Sequence, residues 1–268
     1  MTVTVSEGLQ LCGGPGTRPD PVLWLRRYHP VDAAAPRLVC CPHSGGSAGY
    51  FLPLSAALAP AVAVQAVQYP GRQDRRAEPL VADLRDLASR LAAVLADEPG
   101  PPPALFGHSM GAMLAFEVAR QLERDGRYVS ALFVSGHRPP SARAAAPLHG
   151  VSDRELLHAV RGLGGTEAEL LEDEEIAELV LPVIRNDTRA VETYHLEAGG
   201  EPELGCPIIA LSGTADPQVT VAEADAWRRH TSGKFDLHTF PGGHFYLNAH
   251  TAELRSLIGA RLTGNSDG

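Results

Sequence analysis

The pattern in this chain most able to do chemistry is Gly107-His108-Ser109-Met110-Gly111, which follows an apolar run beginning at Ala104 and opens a helical pattern over residues 110–124. A serine between two glycines at a strand-to-helix turn is held in a strained backbone that exposes its hydroxyl at the sheet edge. The bare Gly-x-Ser-x-Gly spacing recurs in unrelated proteins. The strand before it and the helix after it select the nucleophile reading of Ser109 over a structural turn serine. His108 reads as a packing residue of the elbow rather than as a catalytic group.

A serine hydroxyl is a weak nucleophile at neutral pH, so a base must take its proton and a third group must orient that base. Behind an elbow of this kind the partners follow in the order serine, acid, histidine, each at the carboxyl end of a later strand. Asp216 fits the acid, since it lies in Ser-Gly-Thr-Ala-Asp-Pro just after the apolar run 207–212. Asp225 falls in the next helix, Asp236 falls inside the last strand, and the run 130–135 is followed by Gly-His-Arg-Pro-Pro with no acid. Of the eleven histidines, His244 alone sits in a glycine-flanked loop after the final strand; His238 is within that strand and His250 is in the closing helix.

Attack on a carbonyl creates an oxyanion that needs two backbone N–H donors, one from the residue after the nucleophile and one from the loop after an earlier strand. Met110 supplies the first. The second falls to Ser44 in Pro42-His43-Ser44-Gly45-Gly46-Ser47, a segment that also fits a glycine-rich turn for close packing. The densest basic cluster is Gly71-Arg72-Gln73-Asp74-Arg75-Arg76, where Arg72, Arg75 and Arg76 fit either a solvated loop or a contact with an anionic partner or substrate.

These residues need a frame. Candidate strands at 22–28, 37–41, 62–69, 104–107, 130–135, 207–212 and 235–240 alternate with helical patterns, clearest at 80–96 and 110–124. Several strands are near-continuous apolar runs, as expected where both faces of a parallel sheet are covered. Leu80, Leu84, Leu87, Leu91 and Leu95 form one helical stripe. The alternation predicts a mostly parallel, doubly wound α/β fold. Residues 1–21 read as a loose arm, 22–147 and 197–268 as the core, and 148–196 as a helical insertion between two strands. In the insertion, capping boxes at Ser152 with Glu155 and at Thr166 with Glu169 precede apolar helical runs, and Pro182 should end or kink the second. The insertion fits an extra packing layer or a lid over an active site, with Leu156, Leu157, Val160, Ile176, Leu179 and Leu181 as its apolar residues.

Composition narrows the function. The 268 residues carry 23 Lys+Arg against 32 Asp+Glu, a formal net charge of −9, which argues against nucleic acid, a partner that demands a cationic face. The same balance disfavours an acidic protein partner. No window reaches the roughly 18 uninterrupted apolar residues of a membrane helix, and the N-terminus shows no basic-then-apolar leader, so no membrane is expected. Four cysteines, with Cys40 and Cys41 adjacent in an apolar run, read as buried thiols of a reducing, cytoplasmic setting and match no metal spacing. The serine chemistry itself requires no metal or cofactor.

Several motifs occur together and in order: Pro-His43-Ser-Gly-Gly-Ser-Ala, Gln68-Tyr-Pro-Gly-Arg72, Phe-Gly-His-Ser109-Met-Gly-Ala, Leu181-Pro-x-x-Arg185-x-Asp187 with Tyr194, Gly213-x-x-Asp216 and Pro-Gly-Gly-His244-Phe. From about residue 22 to residue 258 the chain thus resembles the type II thioesterases, the free-standing editing enzymes of polyketide and nonribosomal peptide synthases. The resemblance implies an α/β-hydrolase fold with a helical lid, and hydrolysis of acyl groups stalled on the phosphopantetheine arm of acyl or peptidyl carrier proteins. On matching positions it implies Ser109, Asp216 and His244 as the triad, with Met110 and Ser44 as oxyanion donors. Small acyl thioesters would also be substrates. The chain departs from the family at Ser44, where alanine is usual; the backbone donor is kept and a hydroxyl is added. Rival readings are an esterase or lipase with the same triad, a macrocyclising release enzyme, for whose carrier domain the chain has no room, and a carrier-binding scaffold with a dead site. Because such carriers are themselves usually acidic, docking on a chain of net −9 should use a restricted cationic patch, first placed at Arg72, Arg75 and Arg76.

Overall fold

The computed structural model describes residues 19–142, 147–164, 171, 173–196 and 202–264. In chain order these form α1 (Pro21–Trp24), β1 (Leu25–Arg26), β2 (Arg37–Cys41), α2 (Leu52–Leu58), β3 (Ala63–Val67), α3 (Leu84–Asp97), β4 (Ala104–His108) and α4 (Met110–Arg124). There follow β5 (Ala131–Ser135), α5 (Asp153–Arg161), α6 (Glu174–Glu192), β6 (Ile208–Gly213), α7 (Val221–Asp225), β7 (Phe235–Phe240) and α8 (Thr251–Thr263), with short 3-10 turns between some of them.

The strands make one sheet in the order β1-β3-β2-β4-β5-β6-β7, and only the β1–β3 pair is antiparallel. All positions of β2, β4, β5 and β6 are buried, because alternate side chains enter cores on opposite faces. Val39, Cys41, Leu105 and Leu132 pack with Leu84 and Leu87 of α3 and Leu114 of α4. Leu38, Cys40, Phe106 and Phe133 pack with Leu54 and Leu58 of α2 and Leu254 and Ile258 of α8. The chain builds outward from β2 to β3, then returns to lay β4 on the other side of β2. That reversal opens a crevice beyond the carboxyl ends of β2 and β4, where α/β sheets bind ligands.

One expectation needs correction and another is narrowed. Residues 22–28 are not a strand: Pro21 and the Asp20 carboxylate, which accepts the Val22 N–H at 2.9 Å, start the helical turn α1, and only Leu25 and Arg26 pair with the sheet. Of the two outcomes expected at Pro182, an end or a kink, the end is absent, for α6 runs through it to Glu192. Both Pro182 and Glu178, whose carbonyl loses the bond a proline cannot donate, are exposed, so water can take up that carbonyl. The 80–96 pattern forms a helix only from Leu84, capped by the Asp83 carboxylate on the Arg85 and Asp86 N–H groups.

The capping box of Ser152 and Glu155 starts α5 as expected. Thr166 and Glu169, together with most of the 1–21 arm, lie outside the described residues, and Asp173 caps α6. Leu156 and Leu181 are buried in a small core of their own with Leu171, Ala177 and Ile184, against which Leu157 and Val160 pack. Leu179 is 77% exposed. Among the described residues no helix is long and apolar enough to cross a membrane.

Candidate active site

Ser109 joins the last residue of β4 to the first of α4 with φ 55° and ψ −123°, a conformation that side-chain-bearing residues rarely adopt. Both elbow glycines are required by contact. A Cβ on Gly107 would stand 1.9 Å from the Gly111 carbonyl oxygen, and one on Gly111 would stand 2.0 Å from that of Cys41. The Ser109 N–H donates to the Ser135 carbonyl at 2.8 Å, fixing the turn to the end of β5. His108 and Met110 are buried on either side of the half-buried serine.

Asp216 and His244 come together from separate loops. The Thr214 N–H donates to Phe240 O at 2.8 Å and the Ala215 N–H to Gly242 O at 2.9 Å, so the loops after β6 and β7 are stitched to each other. Their approach is close enough that a Cβ on Gly213 would meet the Gly243 carbonyl oxygen at 2.3 Å. Asp216 Oδ1 accepts the Gln218 N–H at 2.8 Å, and Oδ2 stands 2.9 Å from His244 Nδ1. Both side chains are buried. A carboxylate at Nδ1 selects the tautomer with its proton there, which leaves Nε2 as a lone-pair base. That Nε2 has no hydrogen-bond partner among the described residues.

Three further imidazoles line this region. The rings of His108 and His244 lie 4.9 Å apart, while His43 touches Phe245 at 5.0 Å and Tyr50 at 4.7 Å between ring centroids. Burial, then the neighbouring His244, pushes His43 down to about 3 and His108 well below the usual histidine range. Burial likewise takes His137 down to about 4. His108 Nδ1 stands 3.0 Å from Ser135 Oγ, which is itself 2.7 Å from the Tyr246 hydroxyl. The packing role expected of His108 thus includes a buried polar chain behind the elbow.

The loop after β2 carries Ser44. Its neighbours' amides are committed, the Gly45 N–H to Asp187 Oδ2 at 2.8 Å and the Gly46 N–H to His43 O at 3.0 Å. The Ser44 hydroxyl donates to the Ile184 carbonyl of α6 at 3.3 Å. Met110, first residue of α4, has an N–H that helix geometry leaves without an intrahelical acceptor. Sequence reasoning brought Ser44, Ser109, Met110, Asp216 and His244 to one edge of the sheet, and the structure places all of them in loops or helix starts at the carboxyl ends of β2, β4, β6 and β7.

Arg72, Arg75 and Arg76 do not form a surface patch. Arg72 is buried in an ion pair with Asp187. Arg75 is buried too, paired with Glu78 at 2.7 Å, donating to Gln68 O at 2.7 Å and lying over the Trp24 ring. Only Arg76 is exposed. Sequence reasoning assigned no role to Asp187, although it stands in a quoted motif.

A thioesterase-domain family model matches residues 36–262. The chain is 47% identical over 247 residues to the thioesterase PikA5 of Streptomyces venezuelae, an alignment covering 91% of this chain and 86% of that protein. Among solved structures, the type II thioesterase BorB of the borrelidin biosynthetic cluster superposes with a TM-score of 0.82 at 48% identity, covering 92% of this chain and 100% of BorB. The thioesterase RedJ of the prodiginine pathway in Streptomyces coelicolor superposes with a TM-score of 0.80 at 38% identity, covering 88% of this chain and 95% of RedJ. With these relatives beside a serine elbow on a doubly wound sheet, the chain belongs to the thioesterase family, a hydrolase of the type II group on the α/β-hydrolase fold.

Proposed function

We propose that the enzyme hydrolyses acyl thioesters on the phosphopantetheine arm of acyl or peptidyl carrier proteins, through an acyl-enzyme on Ser109. The observation that carries the mechanism is the pairing of His244 Nδ1 with Asp216 at 2.9 Å, with Nε2 left uncommitted, on the sheet edge that also presents Ser109. Ser109 Oγ attacks the thioester carbonyl carbon while its proton passes to His244 Nε2. The tetrahedral intermediate collapses with cleavage of the C–S bond, and the pantetheine thiol leaves with that proton. Water then attacks the acyl-enzyme, giving a proton to the same nitrogen; the C–O bond to Ser109 breaks, Oγ recovers the proton and a carboxylic acid departs. The oxyanion formed in each half lies between the Met110 and Ser44 N–H groups.

The carrier-bound substrate is supported by the likeness to YbtT, named as a type II thioesterase from the yersiniabactin NRPS/PKS biosynthetic pathway, at 30% identity and a TM-score of 0.81. The insertion carrying α5 and α6 acts as the lid, a role supported by the packing of Ile184 and Asp187 of α6 against the Ser44–Gly45 turn. A cytoplasmic setting agrees with Cys40, Cys41 and Cys206 being buried free thiols. The test is Ser109→Ala assayed with acyl-pantetheine and acyl-carrier thioesters, with a matched oxyester as control. The variant should show neither burst nor turnover, and wild type should favour the thioesters. Wild-type turnover by Ser109→Ala would overturn the mechanism; preference for the oxyester would make the enzyme an esterase.

A further inference from the structure

Asp187 is an acid that the mechanism above does not use. It sits in α6 with its side chain 2% exposed, and two donors from outside that helix converge on Oδ2: the Gly45 N–H at 2.8 Å and the Arg72 guanidinium. Arg72 also donates to the Pro70 carbonyl at 3.0 Å and stacks over Tyr69, whose hydroxyl donates to the Pro42 carbonyl at 3.0 Å. Gln68 completes the frame, donating to the Arg72 carbonyl at 3.1 Å and accepting the Ala48 N–H at 3.0 Å. The Ser44–Gly45 turn is therefore gripped from two sides, by residues 68–72 and by α6. On the α6 side the Ser44 hydroxyl adds its bond to the Ile184 carbonyl, and the Ile184 side chain fills the space a Gly45 Cβ would need, 2.7 Å from that position.

A buried carboxylate–guanidinium pair contributes little net folding stability, because desolvation offsets its attraction, and apolar residues of similar size commonly replace it without loss. What this pair does fix is an orientation. The N–H that donates to Asp187 belongs to the peptide directly after Ser44, so holding it constrains the backbone of the residue proposed above as the second oxyanion donor. We propose that Asp187 is a positioning residue: through the Gly45 N–H and Arg72 it holds the Ser44 N–H in the orientation an oxyanion requires. Because Asp187 belongs to α6, that orientation depends on the docked position of the helical insertion. When α6 lifts, the Gly45 N–H loses its acceptor and the donor pair is dismantled; when α6 docks, the pair is assembled. The inference rests on Ser44 and Met110 being the oxyanion donors.

The test compares wild type, the double variant Arg72→Met with Asp187→Leu, and Ser44→Ala, using an acyl-N-acetylcysteamine thioester. Two inhibitors of matched chain length separate the contributions: a trifluoromethyl ketone, whose adduct with Ser109 carries an oxyanion, and a thioether with no carbonyl. The double variant leaves no unpaired buried charge and should melt near wild type. Its kcat should fall roughly ten- to a hundredfold with KM within about threefold, and ketone affinity should fall in step while thioether affinity holds. Ser44→Ala should show the same signature at roughly two- to tenfold. The coupling is overturned if the double variant keeps wild-type kcat, or if its loss lies in KM and thioether affinity. Should the double variant fail to fold, Asp187→Asn, which removes the charge that holds Arg72 and weakens the acceptor of the Gly45 N–H, takes its place, and unchanged kcat and ketone affinity in that variant overturn the coupling. Turnover surviving in Ser109→Ala, or a wild-type enzyme that binds the ketone no tighter than the thioether, would overturn the underlying hydrolytic reading rather than the coupling.

Discussion

Among the described residues four imidazoles lie close to the elbow, and His244 is the one whose ring nitrogen stands against the Asp216 carboxylate. Burial favours the neutral form of His43, His108 and His137, so under the proposed mechanism a proton leaving Ser109 has one place to rest, on the ring paired with Asp216. This arrangement has a measurable consequence for stability. A histidine lowered on folding refuses a proton that the unfolded chain accepts below its ordinary value of 6.5. Its contribution is therefore complete above about pH 6.5 and lost as pH falls toward the folded value, about 3 for His43 and about 4 for His137. Each such group lowers the unfolding free energy by roughly 1 kcal/mol per pH unit within that window. Urea titrations between about pH 6.5 and 4.5 should show a steep decline, and His43→Gln should make it shallower by about one proton. An unchanged slope would mean that His43 is not held neutral. The pairing of Asp216 with His244 was legible in the sequence because strand order and glycine punctuation single out these two among many acids and histidines. Asp187 was not, because its partners Arg72 and Gly45 lie 115 and 142 positions away in the chain.

At the scale of elements, legibility followed burial. Strands covered on both faces announce themselves as apolar runs, and β2, β4, β5 and β6 were found nearly to the residue; the edge strand β7, mostly exposed, was found from its β-rich residues instead. The segment 22–28 misled because its apolar residues divide, with Val22 and Leu23 facing solvent and Trp24 and Leu25 entering the core. At Pro182 the helix loses one hydrogen bond yet continues, because the residue whose carbonyl is freed, Glu178, is exposed and water can take the place of the missing donor. Local contact also decides what a glycine does in a helix. Gly111→Ala in α4 drives a Cβ into the Cys41 carbonyl of β2, where only a backbone shift can relieve it. Gly259 in α8 has nothing within 4 Å of the same position. By urea unfolding, Gly111→Ala should lose roughly 3 kcal/mol or more and the activity with it. Gly259→Ala should gain roughly 0.5–1 kcal/mol, because it trades a flexible unfolded residue for a good helix former. Equal tolerance of both substitutions would contradict the close packing of α4 on β2.

For the whole molecule, the sequence states a net charge of −9 but not where the charges lie. The structure removes Arg72 and Arg75 from the surface by pairing them with Asp187 and Glu78, which leaves Arg76 alone of the cationic patch first expected. Arg75→Glu is consequently no probe of docking, since it would set a second carboxylate beside Glu78 under the Trp24 ring. Charge reversal belongs at Arg76, where Arg76→Glu changes the net charge from −9 to −9 − 2 = −11 with no buried partner disturbed. If the substrate arrives on an acidic carrier, the encounter is opposed by like charge over about 10 Å at 0.1 M salt and by much less at higher salt. Raising sodium chloride from about 0.02 to 0.3 M should therefore raise kcat/KM for carrier-bound acyl groups roughly severalfold. The same acyl group on a small neutral thiol should show a flat response, which separates encounter from chemistry. Arg76→Glu should steepen the rise on carrier and leave the small-thiol line flat. A carrier rate that instead falls with salt in the wild type would show that attraction governs the encounter, and would place a cationic contact on this acidic enzyme away from Arg72 and Arg75.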